Sequence, residues 1–363
     1  MKIGIVGGGQ LARMMVLAGY PLGMEFLVLD PNERASAGQV APLLPGNFGD
    51  VERLRLLAER VDVVTFDLEN VPAPVLRSVA APRLFPPVDA LDTCQDRLNE
   101  KTLFDQLDIE VAGYRPVNEL DELLDAVHAL GLPLVLKTRR LGYDGRGQRV
   151  LRETADIEPA WQALRGVPLL AEQFVPFDGE VSIVGVRSEA GEIRSYPLSW
   201  NVHRDGILRT SIAPAAVSEA LARSAQEQLH RVMTHFNYVG VLTIEYFVVG
   251  ERLLANEMAP RVHNSGHWTI EGATTSQFEN HLRAVAGLPL GGVDIRRPSA
   301  MINFIATMPA PQKVLAVPGA HLHDYGKSAR AGRKLGHCTV TGQDEAERDA
   351  RLAMVQALVD DAG

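Results

Sequence analysis

The sequence is poor in cysteine, in long apolar runs and in basic charge. Cys94 and Cys338 are the only cysteines in 363 residues, which excludes a disulfide framework and a cysteine-rich zinc site and favours a reducing compartment. No apolar run approaches the length of a membrane span, and the first residues form no secretory signal pattern. We therefore expect a soluble cytoplasmic protein without a membrane partner.

Acidic residues outnumber basic ones, with 45 Asp and Glu against 36 Lys and Arg and a net charge of -9. A general nucleic-acid binder needs a basic surface, so nucleic acid is not an expected partner. Anionic small molecules would have to be bound by local clusters of Arg and Lys. The sequence contains no internal repeat or low-complexity segment, and its length suffices for two or three domains.

A glycine-rich turn follows the first apolar stretch. The run Lys2–Val6 predicts a strand, a helical pattern follows, and the motif Gly7-x-Gly9-x-x-Ala12 stands at their junction. This motif matches the dinucleotide fingerprint with alanine in its third position, and Asp30 ends the next predicted strand, where a ribose-binding acid is expected. The alternating pattern continues and predicts a small parallel, doubly wound domain. A nicotinamide dehydrogenase is therefore one candidate.

A second glycine-rich segment follows a predicted strand that ends at Lys137. Residues 139–148 contain three glycines, three arginines and a tyrosine. Glycines let backbone N–H groups converge on an anion, so this segment with its basic flanks is predicted to close over a phosphate as a lid. Upstream, residues 89–107 predict a helical stretch on which Arg97 and Lys101 lie one turn apart, on a face expected to be solvated.

Several polar residues lie on or between the strands predicted downstream. Glu172 interrupts an apolar strand and Glu180 precedes another. Each could accept hydrogen bonds from a nucleotide, Glu172 from the base and Glu180 from the ribose, or could be a charge at a strand edge. His203 and Arg204 are predicted to lie on a connection between strands.

A predicted hairpin carries the most reactive side chains of the chain. Two β-rich runs flank a turn at Gly250, and each run contains one carboxylate, Glu245 or Glu257. A strict two-residue turn would pair Glu245 with Asn256, whereas one bulge would place the two carboxylates opposite each other. We predict the second arrangement, because buried acids are costly without a partner and Mg²⁺ bound to nucleotide phosphates prefers oxygen ligands. A solvated sheet face is the alternative.

Anion-binding candidates follow the hairpin. Arg261, His263 and Asn264 stand in a segment that proline and glycine prevent from continuing the strand, so they are predicted to line a loop beside the carboxylates. Phosphoryl transfer needs a cation site and an anion site next to each other, and this pattern predicts both. A later basic run, residues 315–334, is a candidate phosphate hook.

Four motifs together resemble a known family. They are GGGQLARM at 7–14, GYDGRGQ at 142–148, NEMAPRVHNSGHWTIEGATTSQFENHLRA at 256–284 and PGAHLHDYGKSARAGRKLGH at 318–337. In this order they resemble the 5-(carboxyamino)imidazole ribonucleotide synthases, ATP-grasp enzymes of purine biosynthesis, over nearly the whole chain. Two departures are small: Ala12 replaces a common glycine, and Asp67-Leu68-Glu69 replaces Glu-Phe-Glu.

The resemblance implies a fold of mixed α/β and α+β class. It implies a Rossmann-like (pre-ATP-grasp) domain at residues 1–94, an ATP-grasp small lid subdomain at 95–172 and an ATP-grasp central catalytic subdomain at 173–298. A small β-rich C-terminal region, residues 299–363, would complete the acceptor site.

The resemblance also implies roles for individual residues. ATP would be held by Arg97, Lys137, Gly142, Tyr143, Asp144, Gly145, Arg146, Gly147, Gln148, Glu172, Gln173, Phe174, Val175, Glu180, His203, Asn256 and Glu257. Two Mg²⁺ ions would be held by Glu245 and Glu257. The aminoimidazole ribonucleotide would be bound by Gln10, Leu11, Glu69, Tyr143, Asp144, Arg146, Lys327, Arg333 and Lys334. Bicarbonate would be held by Arg261, His263 and Asn264, with Lys137 and Arg146 completing the catalytic set.

The implied reaction is ATP-dependent carboxylation of 5-aminoimidazole ribonucleotide by bicarbonate, through carboxyphosphate, in a homodimer. A dehydrogenase would leave Glu245, Glu257 and Lys137 without a role. A related ATP-grasp formyltransferase or carboxylase that acts on another purine intermediate is a closer alternative. A non-catalytic nucleotide-binding protein would tolerate loss of the paired carboxylates, yet both are present.

Overall fold

A computed structural model describes residues 1–79, 83–142 and 147–362. The described residues form three β-sheets, one parallel and two antiparallel, with helices packed against them. None of the helices in this part of the chain combines the length and the apolar character needed to cross a membrane.

The N-terminal sheet is parallel. Its elements are β1 (Lys2–Val6), α1 (Gln10–Gly19), β2 (Glu25–Asp30), β3 (Leu43–Pro45), α2 (Val51–Ala58) and β4 (Val63–Phe66), followed by α3 (Ala73–Ser78). The strand order β3-β2-β1-β4 is that of a Rossmann-like unit, as predicted. One face of this sheet, including Ile3 and Ile5, packs on Met15 of α1, while Val6 and Leu29 pack on α2. Residues 83–85 form no strand and join this sheet only through a bridge between Val64 and Leu84.

Two helices lead out of this unit, α4 (Val88–Cys94) and α5 (Arg97–Gln106). The helical stretch predicted from 89 to 107 is therefore broken, because the Asp96 side chain accepts a hydrogen bond from Leu98 N at 3.0 Å and starts a new helix. The prediction of a solvated face on α5 is wrong: Lys101 is only 2% exposed.

The second sheet is small and antiparallel. It consists of β5 (Tyr114–Val117), β6 (Leu134–Thr138), β7 (Gln148–Leu151) and β8 (Leu169–Gln173), in the order β5-β8-β6-β7. Its two helices are α6 (Leu120–Leu130) and α7 (Ile157–Leu164). These helices bury one face of the sheet around Leu123, Leu134 and Leu169, and the other face carries Lys137 and Glu172.

The third sheet has nine strands in the described chain. Its central part is β9 (Gly179–Arg187), β10 (Ile193–Ser195), β11 (Ser199–Arg204), β12 (Ile207–Ala213), β13 (Gly240–Val249) and β14 (Arg252–Ala259), with α8 (Glu219–His235) behind it. The two-residue period of the strands separates two faces. Val181, Ile183 and Ile244 pack toward α8, whereas Ser182 and Glu245, which are paired across β9 and β13, point to the opposite face. That face is the floor of the candidate site.

The C-terminal segment continues the same sheet. Its elements are α9 (Thr269–Gly272), α10 (Gln277–Val285), β15 (Ser299–Ile305), α11 (Pro311–Leu315), β16 (Ala320–Asp324), β17 (Lys334–Thr341) and α12 (Glu345–Ala362). Strand β15 pairs with β12, so the sheet runs from the central strands into the C-terminal ones. His281 of α10 joins the N-terminal sheet to the large sheet, because Nε2 lies 2.9 Å from Thr65 Oγ1 and Nδ1 accepts from Val241 N at 3.1 Å.

Candidate active site

A cleft of about 830 Å³ lies where the three sheets meet. The expected site residues that line it are Gln10, Leu11, Glu69, Arg97, Lys137, Gly142, Gln148, Glu172, Gln173, Phe174, Val175, Glu180, His203, Glu245, Asn256, Glu257, Arg261, His263, Asn264 and Lys334. Gly147, Lys327 and Arg333 are not among its lining residues. Tyr143, Asp144, Gly145 and Arg146 lie outside the described residues. The fold thus gathers into one cavity side chains that are spread over most of the sequence.

The paired carboxylates on the floor have the predicted arrangement. Val249 pairs with Arg252 across the turn, but the register shifts next to Glu245, so that Glu245 pairs with Glu257 and Asn256 becomes the extra residue. A bulge of one residue moves the following side chains to the other face of the strand. The prediction of directly opposed carboxylates is confirmed.

Each carboxylate of the pair has a cationic or hydrogen-bonding neighbour. Glu245 Oε1 lies 3.0 Å from His263 Nε2, and Glu257 Oε2 lies 3.3 Å from Arg97 Nη1. Burial alone would raise the pKa of Glu245, but the contact with His263 and the nearby groups of His203 and Lys334 together lower it. Glu245 is therefore ionised at neutral pH.

A second acid–imidazole pair lies beside Glu245. His203 Nδ1 is 3.0 Å from Glu180 Oε2. Burial opposes protonation of His203, but the carboxylates of Glu180, Glu245 and Glu257 together raise its pKa. His203 lies within β11 and not on a connection between strands, so that prediction is wrong. One atom each of Glu180, His203 and Glu245 lies within 4.8 Å of the others. This group contains Glu245 but not Glu257, and one of its three donors is a nitrogen. The carboxylates of Glu245 and Glu257, which face each other, supply the oxygen ligands that Mg²⁺ prefers, so these two residues fit the ion that the resemblance implies.

A buried triad of charges forms the wall of the cleft opposite the floor. Glu172 accepts from the Lys137 ammonium, and its other oxygen lies 2.7 Å from Lys101 Nζ. Burial would raise the pKa of Glu172, yet the two ammonium groups lower it to about 2. Burial, with the positive charges of Arg97 and Lys101, lowers the pKa of Lys137. Both oxygens of Glu172 are thus occupied by lysines, and Lys137 is held at the cleft surface.

The predicted anion side of the cleft consists of Arg261, His263 and Asn264, which line it together with Glu245 and Glu257. Arg261 Nη2 lies 2.8 Å from Glu69 Oε1, which joins the large sheet to the N-terminal unit. Asn264 exchanges two hydrogen bonds with Asn303 of β15, at 3.2 and 2.8 Å. The three residues are therefore held by partners on two other elements, next to the carboxylate pair.

The glycine-rich turn after β1 is closed by the protein's own carboxylates. Asp30 Oδ2 accepts from Gly8 N at 2.7 Å, and Asp67 Oδ2 accepts from Gly9 N at 2.9 Å and Ala12 N at 3.2 Å. Burial raises the pKa of Asp67 to about 6 despite these amides. In a dinucleotide-binding fold such amides receive a pyrophosphate, and the acid after the second strand receives a ribose. Here Asp30 binds the turn itself, which argues against a nicotinamide dehydrogenase.

The base of the second glycine-rich segment is tied to α5. Asp96 accepts from Arg139 Nε at 2.9 Å, from Arg139 Nη2 at 2.8 Å and from Arg140 Nε at 3.2 Å. The basic flanks of this segment, which suggested phosphate contacts, thus bind a protein carboxylate. Arg97 Nη2 donates to Gly142 O at 3.3 Å and Gln148 pairs with Lys137 across β6 and β7. The segment therefore starts and ends at residues that belong to the cleft.

The expected acceptor side involves the C-terminal basic run. The Lys327 ammonium donates to Gln10 Oε1 of α1, and burial lowers the pKa of Lys327 to about 8. Arg333 Nη1 donates to Ser328 O at 3.1 Å and Ser328 Oγ at 2.9 Å. Lys327 is therefore next to the cleft through Gln10, while Arg333 holds the loop before β17.

Sequence reasoning missed several residues of the site. Glu100 is 2% exposed, accepts from Met258 N at 2.6 Å, and burial followed by the charge of Glu257 raises its pKa to about 8. Lys101, Asp96 and Asp67 were missed in the same way. Spacing alone carried a signal for one of them: Lys101 is one turn from Arg97, on the same side of α5.

Family models match most of the chain. A ribonucleotide synthetase preATP-grasp domain matches residues 1–95, an ATP-grasp domain matches residues 102–278, and a phosphoribosylaminoimidazole carboxylase C-terminal domain matches residues 299–351. These matches confirm the mixed fold class drawn from the motifs.

Similar proteins share one description. The N5-carboxyaminoimidazole ribonucleotide synthase of Pseudomonas aeruginosa is 50% identical over 99% of this chain and 100% of its own length, and that of Bacillus subtilis is 39% identical over 95% and 92%. The structure of the synthetase from Thermus thermophilus has a TM-score of 0.94 at 50% identity and covers 98% of both chains. A synthase structure from Aspergillus clavatus, described as a complex with ADP and 5-aminoimidazole ribonucleotide, has a TM-score of 0.92 at 35% identity and covers 99% and 98%. The chain therefore belongs to the N5-carboxyaminoimidazole ribonucleotide synthase family of ATP-grasp ligases.

Proposed function

We propose that this ligase carboxylates 5-aminoimidazole ribonucleotide with bicarbonate at the expense of ATP, as a step of purine biosynthesis. The observation that carries the proposal is the meeting of two groups of side chains in one cleft. The carboxylates Glu245 and Glu257 face each other on the floor, and Arg261, His263 and Asn264 stand beside them. Phosphoryl transfer to a small anion needs this combination, because both the nucleotide phosphates and the acceptor are negatively charged.

The ATP side comprises the small sheet and the floor of the large sheet. Residues of β6 and β8 form the cover, with Lys137 held toward the cleft by Glu172. Glu245 and Glu257 would hold Mg²⁺, which neutralises phosphate oxygens when it is bound. Arg97 donates to Glu257 and to the backbone of Gly142, where the glycine-rich segment begins. When that segment closes over ATP, the guanidinium of Arg97 would lie beside the nucleotide phosphates.

The carboxyl group would be activated on the anion side. A bicarbonate oxygen attacks the γ-phosphorus of ATP and ADP leaves, which gives carboxyphosphate. The guanidinium of Arg261 and the polar groups of His263 and Asn264 would orient the anion for this attack. The exocyclic amine of the ribonucleotide then attacks the carboxyl carbon, the bond to phosphate breaks and the amine loses a proton. Water must be excluded because carboxyphosphate hydrolyses.

The ribonucleotide would lie between the N-terminal unit and the C-terminal basic run. Gln10, Leu11 and Glu69 line the cleft on this side, and Lys327 touches Gln10. Lys327, Arg333 and Lys334 would bind the ribonucleotide phosphate. Tyr143, Asp144 and Arg146 of the glycine-rich segment would complete the acceptor site and the ATP cover.

We infer that the four segments 1–94, 95–172, 173–298 and 299–363 are the functional units of the enzyme. The first and last would bind the acceptor, and the middle two would bind ATP. We also infer that the protein is a homodimer and that it works in the cytoplasm. The free thiols of Cys94 and Cys338 support a reducing compartment. Light scattering of the purified protein tests the dimer.

The proposal is tested by measuring ADP release from Mg-ATP with bicarbonate, with and without 5-aminoimidazole ribonucleotide, and by following ¹³C-bicarbonate into the product. We expect ADP release to require bicarbonate, to rise with the ribonucleotide and to match the carboxylated product. ADP release that depends on neither substrate, together with tight NADH binding, would overturn the proposal. Carboxylation of a different purine intermediate would favour the related ATP-grasp enzymes instead.

A further inference from the structure

A row of buried hydrogen bonds ends on His263. Ser211 Oγ donates to Asn201 Oδ1 at 2.7 Å, Asn201 Nδ2 donates to Ser182 Oγ at 2.9 Å, and Ser182 Oγ donates to Ser265 Oγ at 2.7 Å. Ser265 Oγ lies 2.8 Å from His263 Nδ1. The three serines are fully buried and Asn201 is 3% exposed, so water does not compete for these bonds.

The row has a direction. Each hydroxyl that accepts a hydrogen bond from the preceding residue keeps its own hydrogen for the next one. Ser265 accepts from Ser182, so its hydrogen points to His263 Nδ1. The backbone of Ser265 adds an independent donor, since its N–H also points to His263 Nδ1, at 3.3 Å. Two donors of one residue therefore converge on the same ring nitrogen.

A nitrogen that receives two donors carries no hydrogen, so the imidazole hydrogen is on Nε2. Nε2 lies 3.0 Å from Glu245 Oε1, where an N–H group meets a carboxylate oxygen. The opposite tautomer would set Nδ1–H against the Ser265 N–H and a nitrogen lone pair against the carboxylate. The Gln277 side chain accepts from His263 N at 2.9 Å and donates to His263 O at 2.6 Å. These two hydrogen bonds fix the backbone that carries the imidazole ring.

We propose that Ser265 is a positioning residue that holds His263 as the Nε2–H tautomer, with its single N–H group directed at Glu245 and its other ring nitrogen occupied by Ser265, so that His263 is not a base. Asn201 donates to Ser182 and Ser182 donates to Ser265, so these two residues orient the Ser265 hydroxyl hydrogen toward His263. Only the catalytic consequence rests on the proposed function: His263 would have no ring nitrogen free to take the proton of the ribonucleotide amine, so proton removal would fall to another group.

The tautomer is measured on the protein without substrate, nucleotide or metal. Protein with ¹⁵N-labelled histidine is examined by two-bond ¹H–¹⁵N correlation spectra, and the His263 signals are assigned from their loss in His263→Gln. We expect a pyridine-type shift for Nδ1 and a pyrrole-type shift for Nε2. A protonated Nδ1 in the wild-type protein would overturn the proposal, whatever the enzyme's activity proves to be.

The role of Ser265 is tested with Ser265→Ala, which removes one donor to Nδ1. We expect the spectrum to change toward a mixture of tautomers and kcat to fall about tenfold, as is typical when a partner that orients a functional imidazole is removed. The KM for ATP should stay within about twofold, because the nucleotide contacts are intact. Ser188→Ala is the control: Ser188 is also buried, and its hydroxyl accepts from Glu192 N at 3.1 Å. An unchanged His263 spectrum in Ser265→Ala would contradict the role of Ser265.

Discussion

Glu245 and Glu257 lie directly opposite each other because β14 has one residue, Asn256, more than β13 between the turn and the pair. Two carboxylates in such a position repel each other unless positive charge is supplied. Arg97 supplies part of it, and the N–H group of His263 faces Glu245 from another segment of the chain. The pair is therefore stable in the protein and still able to take up a divalent cation together with ATP.

Glu257→Gln is expected to lower kcat by about a hundredfold or more with little change in stability, because the amide keeps the volume but loses the charge that a metal ligand needs. Turnover is measured at saturating Mg-ATP and the fold by circular dichroism. Glu251→Gln is the matched control, since Glu251 lies exposed at the turn of the same hairpin. Full activity of Glu257→Gln would show that this carboxylate binds no catalytic metal.

Asp96→Asn is expected to loosen the base of the glycine-rich segment. The amide can still accept from Leu98 N, but the charge that holds Arg139 and Arg140 is lost. Hydrogen bonds to charged groups contribute roughly 1.5–3 kcal/mol, so we expect the KM for ATP to rise roughly tenfold. ADP release should also exceed carboxylated product, because a loose cover admits water.

Asp92→Asn serves as the control for Asp96→Asn, since Asp92 of α4 binds Arg77 of α3 at 3.0 Å and does not line the cleft. A strict match between ADP and product in Asp96→Asn would show that Asp96 does not act on the cover.

Glu100→Gln is expected to stabilise the ligand-free protein at alkaline pH. Burial raises the pKa of Glu100 from 4.5 to about 8, so between these values the unfolded chain loses the proton before the folded protein does. Stability therefore falls as pH rises, by up to about 1.4 kcal/mol per pH unit, and glutamine removes this loss.

The test of Glu100→Gln is urea unfolding without ATP or metal, at about pH 5 and about pH 8. The variant should gain stability relative to the wild type only at the higher pH. Glu227→Gln on the exposed side of α8 should show no such gain. An equal effect of Glu100→Gln at both pH values would mean that Glu100 is ionised in the folded protein.

His281 is expected to make the protein sensitive to acid. Burial lowers the pKa of His281 from 6.5 to about 4, so in this range the unfolded chain binds a proton that the folded protein excludes. Above pH 6.5 the imidazole is neutral in both states and does not change the free energy of unfolding. As pH falls toward 4, the free energy of unfolding decreases by about 3 kcal/mol in total. His267 and His337 are also buried, with lowered pKa values, and add to this loss.

In His281→Gln the amide oxygen can still accept from Val241 N, so the fold is retained while the titrating group is gone. The slope of unfolding free energy against pH, measured with urea between about pH 4.5 and pH 6.5, should fall by about 1.4 kcal/mol per pH unit. His230→Gln, at an exposed position of α8, should leave the slope unchanged. An unaltered slope in His281→Gln would place the acid sensitivity elsewhere.

The fold class and the chemistry of the hairpin could be predicted from the sequence because both depend on local patterns. The strand–turn–helix pattern around Gly7 specifies a parallel unit, and apolar alternation specifies the hairpin. The bulge beside Glu245 followed from the cost of burying an unpaired acid. The family resemblance was likewise carried by contiguous motifs.

The partners of charged residues were decided by tertiary structure. Lys101 and Glu172 meet only because α5 packs beside the small sheet, and Asp30 and Asp67 meet the glycine turn only because parallel strands end at the same edge. Local patterns predicted instead a solvated face for Lys101, a ribose ligand at Asp30 and phosphate contacts for Arg139 and Arg140. Each of these interpretations depended on which charged group lies nearby in space. The order of residues along the chain does not contain that information.

The sequence by itself thus determined which elements form and which chemical groups the site contains, since hydrophobic period and turn chemistry act between near neighbours. Only the tertiary structure decided which donor faces which acceptor, because the free energy of a buried charge or hydrogen bond depends on the partner that folding brings to it. The Nε2–H tautomer of His263 is the clearest case, since it is set by Ser182 and Ser265 across two elements.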